Sequence, residues 1–432
     1  MKAALEGLIE ELNQSQWFTS EQIHNHQERT LSSIVIHHAV NTPWFQNRLK
    51  SFGLEAKDIV TLEGLKQLEP FKKRDIQLAR DNFYSVNIPK QHYPLGEAKT
   101  SGSTGEPVTI KKTVINQLFW MANAIRDHQW YNRDYSGRFA AIRAGFTDIH
   151  RFPDWTGPVP MLYGSGSSMG IPVTTVIDKQ LELLEEFQPN IITVHAGVLS
   201  GFVSVWEKTG FTLTSLKHIK NIGDTVGPLL RQRVKAVTGL DIEDNYSSSE
   251  NGTISIQCPH SGQQHIMSES LIVEILNSDG TETPPGEIGR VVITDLFNTA
   301  SPMIRYDIGD YARVGTACTC GRHMPTLSEI VGRERNLIIR SDGSRHWPRA
   351  GFMELEKIVP VRQWQIIQHT LNDIEYKLVT DDPITPEQEA QFKELFLSVL
   401  DYPWNITITW VKDSIPPGKN GKFEESICLV PQ

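Results

Sequence analysis

The amino-acid sequence predicts an α/β protein, with a large multi-layer N-terminal body over residues 1–333 and a smaller α+β C-terminal domain over 334–432. Three observations lead there. The chain has 432 residues, more than a single hydrophobic core usually serves. From about Asn116 to Leu240, helical spacing alternates with short apolar runs such as Ile191-Ile192-Thr193-Val194, the alternation of a layered α/β sheet. Beyond Gly332 the pattern restarts on a smaller scale.

The first 90 or so residues read as helical, with apolar residues at helical spacing in Leu31–Val40 and Leu62–Leu68. From Tyr93 to Thr113 the chain turns rich in Gly, Ser and Thr. Between Leu271 and Val314, Leu271–Leu276 and Val291–Ile293 flank the turn Pro284-Pro285-Gly286, which predicts antiparallel strands. In the C-terminal part the strand candidates are Leu337–Ile339, Trp364–Leu371, Tyr376–Val379 and Ile406–Val411. A helix is expected over Pro386–Leu400, because Thr385 can cap it and proline suits its first turn.

Composition excludes several function classes. A 39% hydrophobic and 22% charged chain with a formal charge of −9 is ordinary for a globular protein and lacks the basic excess of a general nucleic-acid binder. No apolar run approaches the roughly 18 residues of a membrane span. The start, MKAALEGLIEELNQSQ, is amphipathic and acidic rather than signal-like, so a cytoplasmic setting is expected. Four cysteines in this length are no disulfide scaffold. No repeat or low-complexity segment is present.

The segment Thr100-Ser101-Gly102-Ser103-Thr104-Gly105-Glu106-Pro107 is the most informative. Two glycines let successive amides converge on phosphate oxygens, and Ser101, Ser103 and Thr104 add hydroxyl donors. A surface linker has the same composition. It is not a Walker loop, because Glu106 stands where the Lys-Ser/Thr pair would begin. Downstream come Tyr246-Ser247-Ser248-Ser249-Glu250, Gly286-Glu287-Ile288-Gly289-Arg290, Arg305-Tyr306-Asp307-Ile308-Gly309-Asp310, Gly332-Arg333 and Gly421-Lys422. In this order and spacing they resemble the adenylate-forming superfamily of acyl-CoA synthetases, peptide-synthetase adenylation domains and luciferases. The resemblance is to its phenylacetate–CoA ligase-like branch, whose early aromatic motif is matched by Trp44-Phe45-Gln46-Asn47-Arg48-Leu49, and it covers nearly the whole chain.

The resemblance implies a ligase in which a carboxylate attacks the α-phosphorus of ATP and expels pyrophosphate. Two anions must meet, so neutralising charge and fixing geometry are the main tasks. It implies that Ser101, Gly102, Ser103, Thr104 and Gly105 hold the terminal phosphates, Ser249 meets the α-phosphate and Glu250 offers an oxygen ligand to Mg²⁺. Gly223, Asp224, Thr225 and Tyr246 fall where the family lines adenine, with a core role the plain alternative for Tyr246. Asp310 matches the aspartate that grips the ribose hydroxyls, and Arg333 touches ribose or phosphate at the edge of a mobile cap. Lys422 is the candidate catalytic cation, with Lys419 its neighbouring competitor. The acid pocket is expected from Phe146, Tyr163, Gly164, His195, Ala196 and Gly197, with Trp120 a further aromatic wall; the resemblance implies an aromatic or heteroaromatic acid, with amino acids and polar acids left open. Coenzyme A is the default acceptor, with a carrier-protein thiol or an amine as alternatives. Two departures, Asn336 at the hinge and a loose match over Arg340–Pro348, leave open a nucleotide-binding regulatory homologue without turnover.

Cys258, His265, Cys318 and Cys320 form a Cys₃His set suited to a closed tetrahedral zinc site, and a Cys-x-Cys-Gly-Arg stretch like Cys318–Arg322 occurs in some relatives of that branch. His260 can replace His265, and three reduced cysteines without metal are the alternative. With four protein ligands such a zinc is structural, not catalytic.

Overall fold

Local signals set the helices. Thr19 opens the helix Ser20–Asn41 with a reciprocal cap, its hydroxyl accepting from the Gln22 amide while the Gln22 side chain accepts from the Thr19 amide. Thr113 caps Val114–Trp130 in the same way with Asn116. The expected helix Pro386–Leu400 is present and its cap is Thr385, paired with Gln388.

The computed structural model describes residues 1–99, 107–347, 358–359, 361–400, 402–412, 414–416 and 423–430. Ser101, Gly102, Ser103, Thr104, Gly105, Lys419 and Lys422 therefore lie outside the described residues. The chain forms two units. The first comprises Met1–Phe139, Arg151–Ser168 and Glu243–Val331; the second comprises Ala140–His150, Met169–Ile242 and Gly332–Gln432.

The first unit carries a seven-stranded sheet in the order Leu271–Leu276, Ile288–Asp295, Tyr306–Val314, Thr326–Arg333, Gln264–Ile266, Gly252–Gln257, Asn245–Ser248. The expected antiparallel pair is there, with Leu271 opposite Asp295 and Leu276 opposite Arg290. Leu31, Ile34, Val35, Phe45 and Leu49 of the N-terminal helices pack on Ile272, Leu296 and Ile304 from this sheet and its loops. Burying such side chains is worth roughly 1.5–3 kcal/mol each. The Gly/Ser/Thr-rich stretch is flanked by a two-stranded ribbon, Gly96–Lys99 against Thr109–Lys112, with Lys99 opposite Thr109.

The second unit holds a six-stranded sheet in the order His150–Phe152, Ser168–Pro172, Phe139–Arg143, Ile191–Val194, His218–Asn221, Ile242–Glu243. Ile191–Val194 and His218–Asn221 run parallel, with the helices Ile177–Phe187, Ala196–Thr209 and Pro228–Thr238 following in alternation. After Phe139–Arg143 the chain builds strands on one side of it and then returns to place Ile191–Val194 on the other. That reversal is the switch point beside which open α/β sheets bind ligands, outside the carboxyl ends of their strands. The C-terminal residues add a four-stranded sheet, Asn405–Val411, Asp373–Val379, Gln363–Gln368, Ser426–Cys428. Tyr376 packs edge-on against Phe392 and Phe396 of the helix Pro386–Leu400. The expected strand Trp364–Leu371 stops at Gln368, because Thr370 and Asp373 hydrogen-bond in a turn that carries Leu371.

Candidate active site and metal centre

In the first unit, Tyr246 and Asp310 come from Asn245–Ser248 and Tyr306–Val314. Both are buried, and the Tyr246 hydroxyl donates to Asp310 Oδ2 at 2.7 Å. Their neighbours hold this strand in place. Arg305 has a φ of 55° and is buried. Its guanidinium grips Glu274 at 3.0 and 2.9 Å and donates to the carbonyls of Lys66 and Leu68. Arg290 donates to Asp307 at 3.0 Å. Gly289 is required beside it, since a Cβ there would lie 2.2 Å from Thr283 Oγ1. Two of the motifs noticed in the sequence are thus one packed support for the strand of Asp310.

Ser249 and Glu250 sit at the tip of the hairpin joining Asn245–Ser248 to Gly252–Gln257, where Gly252 has a φ of 76° and the Asn251 amide donates to Ser248 Oγ. Ser249 is exposed and Glu250 half-buried. Lys112, at the end of the ribbon strand Thr109–Lys112, was not singled out by the sequence. Burial lowers its pKa, and the Asp295 and Glu250 carboxylates partly offset that. Burial in turn pushes Asp295 up to about 6, against hydrogen bonds from the Phe297 and Asn298 amides. A lysine directly behind the Gly-rich segment was the available signal.

Tyr163 and Gly164 also lie in the first unit. The Tyr163 ring is stacked on Tyr135 at 5.1 Å, and the turn after it is pinned by the Trp155 amide donating to Ser165 Oγ. Trp120 is 44% exposed on the helix Val114–Trp130.

The second unit brings His195, Ala196 and Gly197 to the carboxyl end of Ile191–Val194, and Gly223, Asp224 and Thr225 to that of the parallel neighbour His218–Asn221. His195 Nδ1 lies 3.4 Å from Asp224 Oδ2. Gly223 has a φ of 75°. Phe146 follows Phe139–Arg143, and its ring occupies the space that a side chain at residue 170 would need, 2.5 Å from a Cβ on Gly170. Arg333 is exposed at the start of the turn Glu334–Asn336.

The cysteines converge. Cys258 follows Gly252–Gln257, His265 is in Gln264–Ile266, and Cys318 and Cys320 lie between Tyr306–Val314 and Thr326–Arg333. Their ligand atoms all fall within 4.8 Å of one another. Cys258 Sγ and Cys318 Sγ are 3.7 Å apart, and His265 Nε2 is 3.3 Å from Cys320 Sγ. Metal–sulfur bonds of about 2.3 Å give a tetrahedron with edges of about 3.8 Å, so the set fits such an ion. Burial holds His265 down to about 4, the neutral form that ligates, and its Nδ1 faces the Met324 carbonyl at 3.4 Å, a typical orienting partner. His260 is exposed and outside the cluster, and the half-buried Cys428 lies outside it too. Beside it, Arg322 stacks on Trp130 at 4.2 Å and on Trp17 at 4.7 Å.

No family model matches the chain. Among curated proteins it is 25% identical to the phenylacetate-coenzyme A ligase of Thermus thermophilus over 386 residues, 85% of this chain and 83% of that one. It is 26% identical to the phenylacetate-coenzyme A ligase of Pseudomonas putida over 74% of this chain and 72% of the other. These likenesses make the chain similar to the phenylacetate–CoA ligase-like branch of the adenylate-forming superfamily. Its fold is that of 2-hydroxyisobutyryl-CoA ligase in the postadenylation state, with a TM-score of 0.74 at 14% identity over 96% of this chain and 91% of that one. The anthranilate CoA ligase AuaEII shares it too, at a TM-score of 0.57 and 15% identity over 94% and 92% of the two chains. Among the described residues, no helix is long and apolar enough to cross a membrane.

Proposed function

We propose that the chain activates a carboxylic acid with ATP to an acyl-adenylate, releasing pyrophosphate, and passes the acyl group to the thiol of coenzyme A. The observation that carries this reading is the buried Tyr246–Asp310 pair, a carboxylate held in one orientation within a chain that matches phenylacetate-coenzyme A ligases along most of its length. Asp310 accepts from ribose hydroxyls, a task suited to an acceptor-only group. Ser101, Gly102, Ser103, Thr104 and Gly105 hold the terminal phosphates, Ser249 the α-phosphate, and Tyr246, Gly223, Thr225 and the backbone of Asp224 the base. Glu250 offers Mg²⁺ a hard oxygen ligand, and that ion supplies charge neutralisation when bound. Lys422 stabilises the charge that develops on the α-phosphate. Residues 334–432 act as the mobile cap that brings Lys422, and Arg333 marks its edge.

Cys258, His265, Cys318 and Cys320 hold a structural zinc that braces the sheet of Tyr246 and Asp310; no chemical step passes through it. Phe146, Tyr163, Gly164, His195, Ala196 and Gly197 surround the acid, an aromatic one by analogy with the curated relatives. Those relatives favour coenzyme A over a carrier-protein thiol or an amine, and a cytoplasmic setting belongs to the same reading. Mass spectrometry tests it: ATP, Mg²⁺ and an aryl acid give acyl-AMP when coenzyme A is withheld and the acyl thioester when it is added. ATP binding with neither product from any acid would turn the reading towards a regulatory homologue.

A further inference from the structure

His195 and Asp224 stand at the carboxyl ends of two adjacent parallel strands. Ile191–Val194 is itself one of the two strands between which the sheet order reverses. Their side chains are 8% and 3% exposed, and Nδ1 and Oδ2 lie 3.4 Å apart. Neither atom has a hydrogen-bond partner among the described residues. The arrangement is held from behind. The Ile222 amide donates to the Val194 carbonyl, which ties the two strand ends together, and Asn221 Nδ2 donates to the Asp224 carbonyl at 2.6 Å. His195 precedes the 14-residue helix Ala196–Thr209 and makes no side-chain cap on it. A carboxylate and an imidazole buried for packing alone would complete their hydrogen bonds, because an unsatisfied buried polar atom is costly and a charged one more so.

We propose that His195 and Asp224 recognise a proton-donating substituent on the acid, so that the substrate class is an amino- or hydroxy-substituted carboxylic acid. This rests on the acid-activating reading above. One oxygen or nitrogen about 2.8 Å from each atom spans the gap between them. An amino or hydroxyl group has the required duality, donating to Asp224 Oδ2 while accepting from a proton on His195 Nδ1. A hydrocarbon substituent, or hydrogen, leaves both atoms desolvated with no hydrogen bond, facing only each other at 3.4 Å. A site built to bind such a group rejects the analogue that lacks it far more strongly than a purely apolar pocket rejects a misfit. Phe146, behind the next strand of the sheet, offers an apolar wall whose ring position depends on the missing side chain of Gly170.

The test measures acid-dependent pyrophosphate exchange with matched pairs: benzoate against 2-aminobenzoate and 2-hydroxybenzoate, phenylacetate against its hydroxy derivatives, and propanoate against 2-hydroxypropanoate. The expected kcat/KM ratio favours the substituted member of at least one pair by about a hundredfold or more. In Asp224→Asn and His195→Phe that ratio falls to within a few-fold of one. The double variant Asp224→Leu/His195→Phe, which replaces both polar partners, prefers the unsubstituted acid, and circular dichroism with thermal unfolding of each variant shows that the fold is intact. Exchange by the wild-type chain that is indifferent to substituents overturns the inference alone, an ordered water then sufficing for the pair. It is equally overturned if Asp224→Asn leaves the acid ratio unchanged but alters the preference for ATP over ITP, for then the carboxylate reads the adenine amino group. Absence of exchange with every acid refutes the adenylation reading itself, and this inference with it.

Discussion

Lowering the pH separates a specific buried histidine from the rest of the molecule. His38 is fully buried on the helix Ser20–Asn41, its Nδ1 2.8 Å from Thr42 Oγ1 and its Nε2 2.9 Å from the Asn298 carbonyl. It ties the N-terminal helices to the loop that feeds the strand of Asp310. Burial, with His37 beside it, drives its pKa from 6.5 to about 3. The folded chain thus keeps a neutral ring while the unfolded chain takes up a proton below pH 6.5, so stability falls as the pH falls. At about 1.36 kcal/mol per pH unit, wild-type protein loses about 2.7 kcal/mol through this residue by pH 4.5, and about 4.4 kcal/mol by pH 3. His38→Gln cannot protonate. It starts about 1–2 kcal/mol less stable at pH 7 through imperfect hydrogen bonds, and the two stability curves cross between about pH 5 and 6. Asp295, raised to about 6 by burial, acts with the opposite sign: its neutral form adds stability in acid that is lost as the pH rises through 6. It contributes equally to both chains and cancels in their difference. Guanidinium titrations of both proteins from pH 7 to 4.5 give that difference, and one that stays constant across the range refutes the argument.

Three further outcomes are expected. Tyr246→Phe removes a hydrogen bond to a buried carboxylate, worth about 1.5–3 kcal/mol, and is expected to weaken ATP binding about 10–100-fold by calorimetry; an unchanged affinity would take the pair out of the nucleotide site. Cys320→Ser is expected to lower zinc per chain, read by elemental analysis, and to lower Tm by several degrees, while Cys428→Ser does neither; wild-type protein purified with far less than one zinc per chain speaks against the metal. Lys422→Ala is expected to cut pyrophosphate exchange more than a hundredfold while ATP binding stays within a few-fold, and near-normal exchange would transfer the role to Lys419 or another cation.

The fold was readable where the sequence pattern is local. The apolar run Leu271–Leu276 and the Pro284–Gly286 turn are enough for an antiparallel pair, and Thr385-Pro386 is enough for a helix start, because each signal acts within a few residues. The limit shows at Leu371, where an apolar residue extends the strand pattern but the Thr370–Asp373 hydrogen bonds turn the chain first. Cys-x-Cys spacing could not choose between His260 and His265; only the pairing of Gln264–Ile266 with its neighbours carries His265 to the cysteines. Long-range juxtapositions were illegible for the same reason. Nothing in the chain announces that Phe146 requires a glycine 24 residues later, that Lys112 shares its surroundings with Glu250 and Asp295, or that His195 and Asp224 meet. Each pairing is created by strand order rather than by spacing.

The central claim is tested most directly by exchange of labelled pyrophosphate into ATP across aryl, acyl and amino acids. Exchange that requires Mg²⁺ and an added acid, and is strong for one acid class, is the expected result. Silence with every acid, from protein that binds ATP, would contradict it.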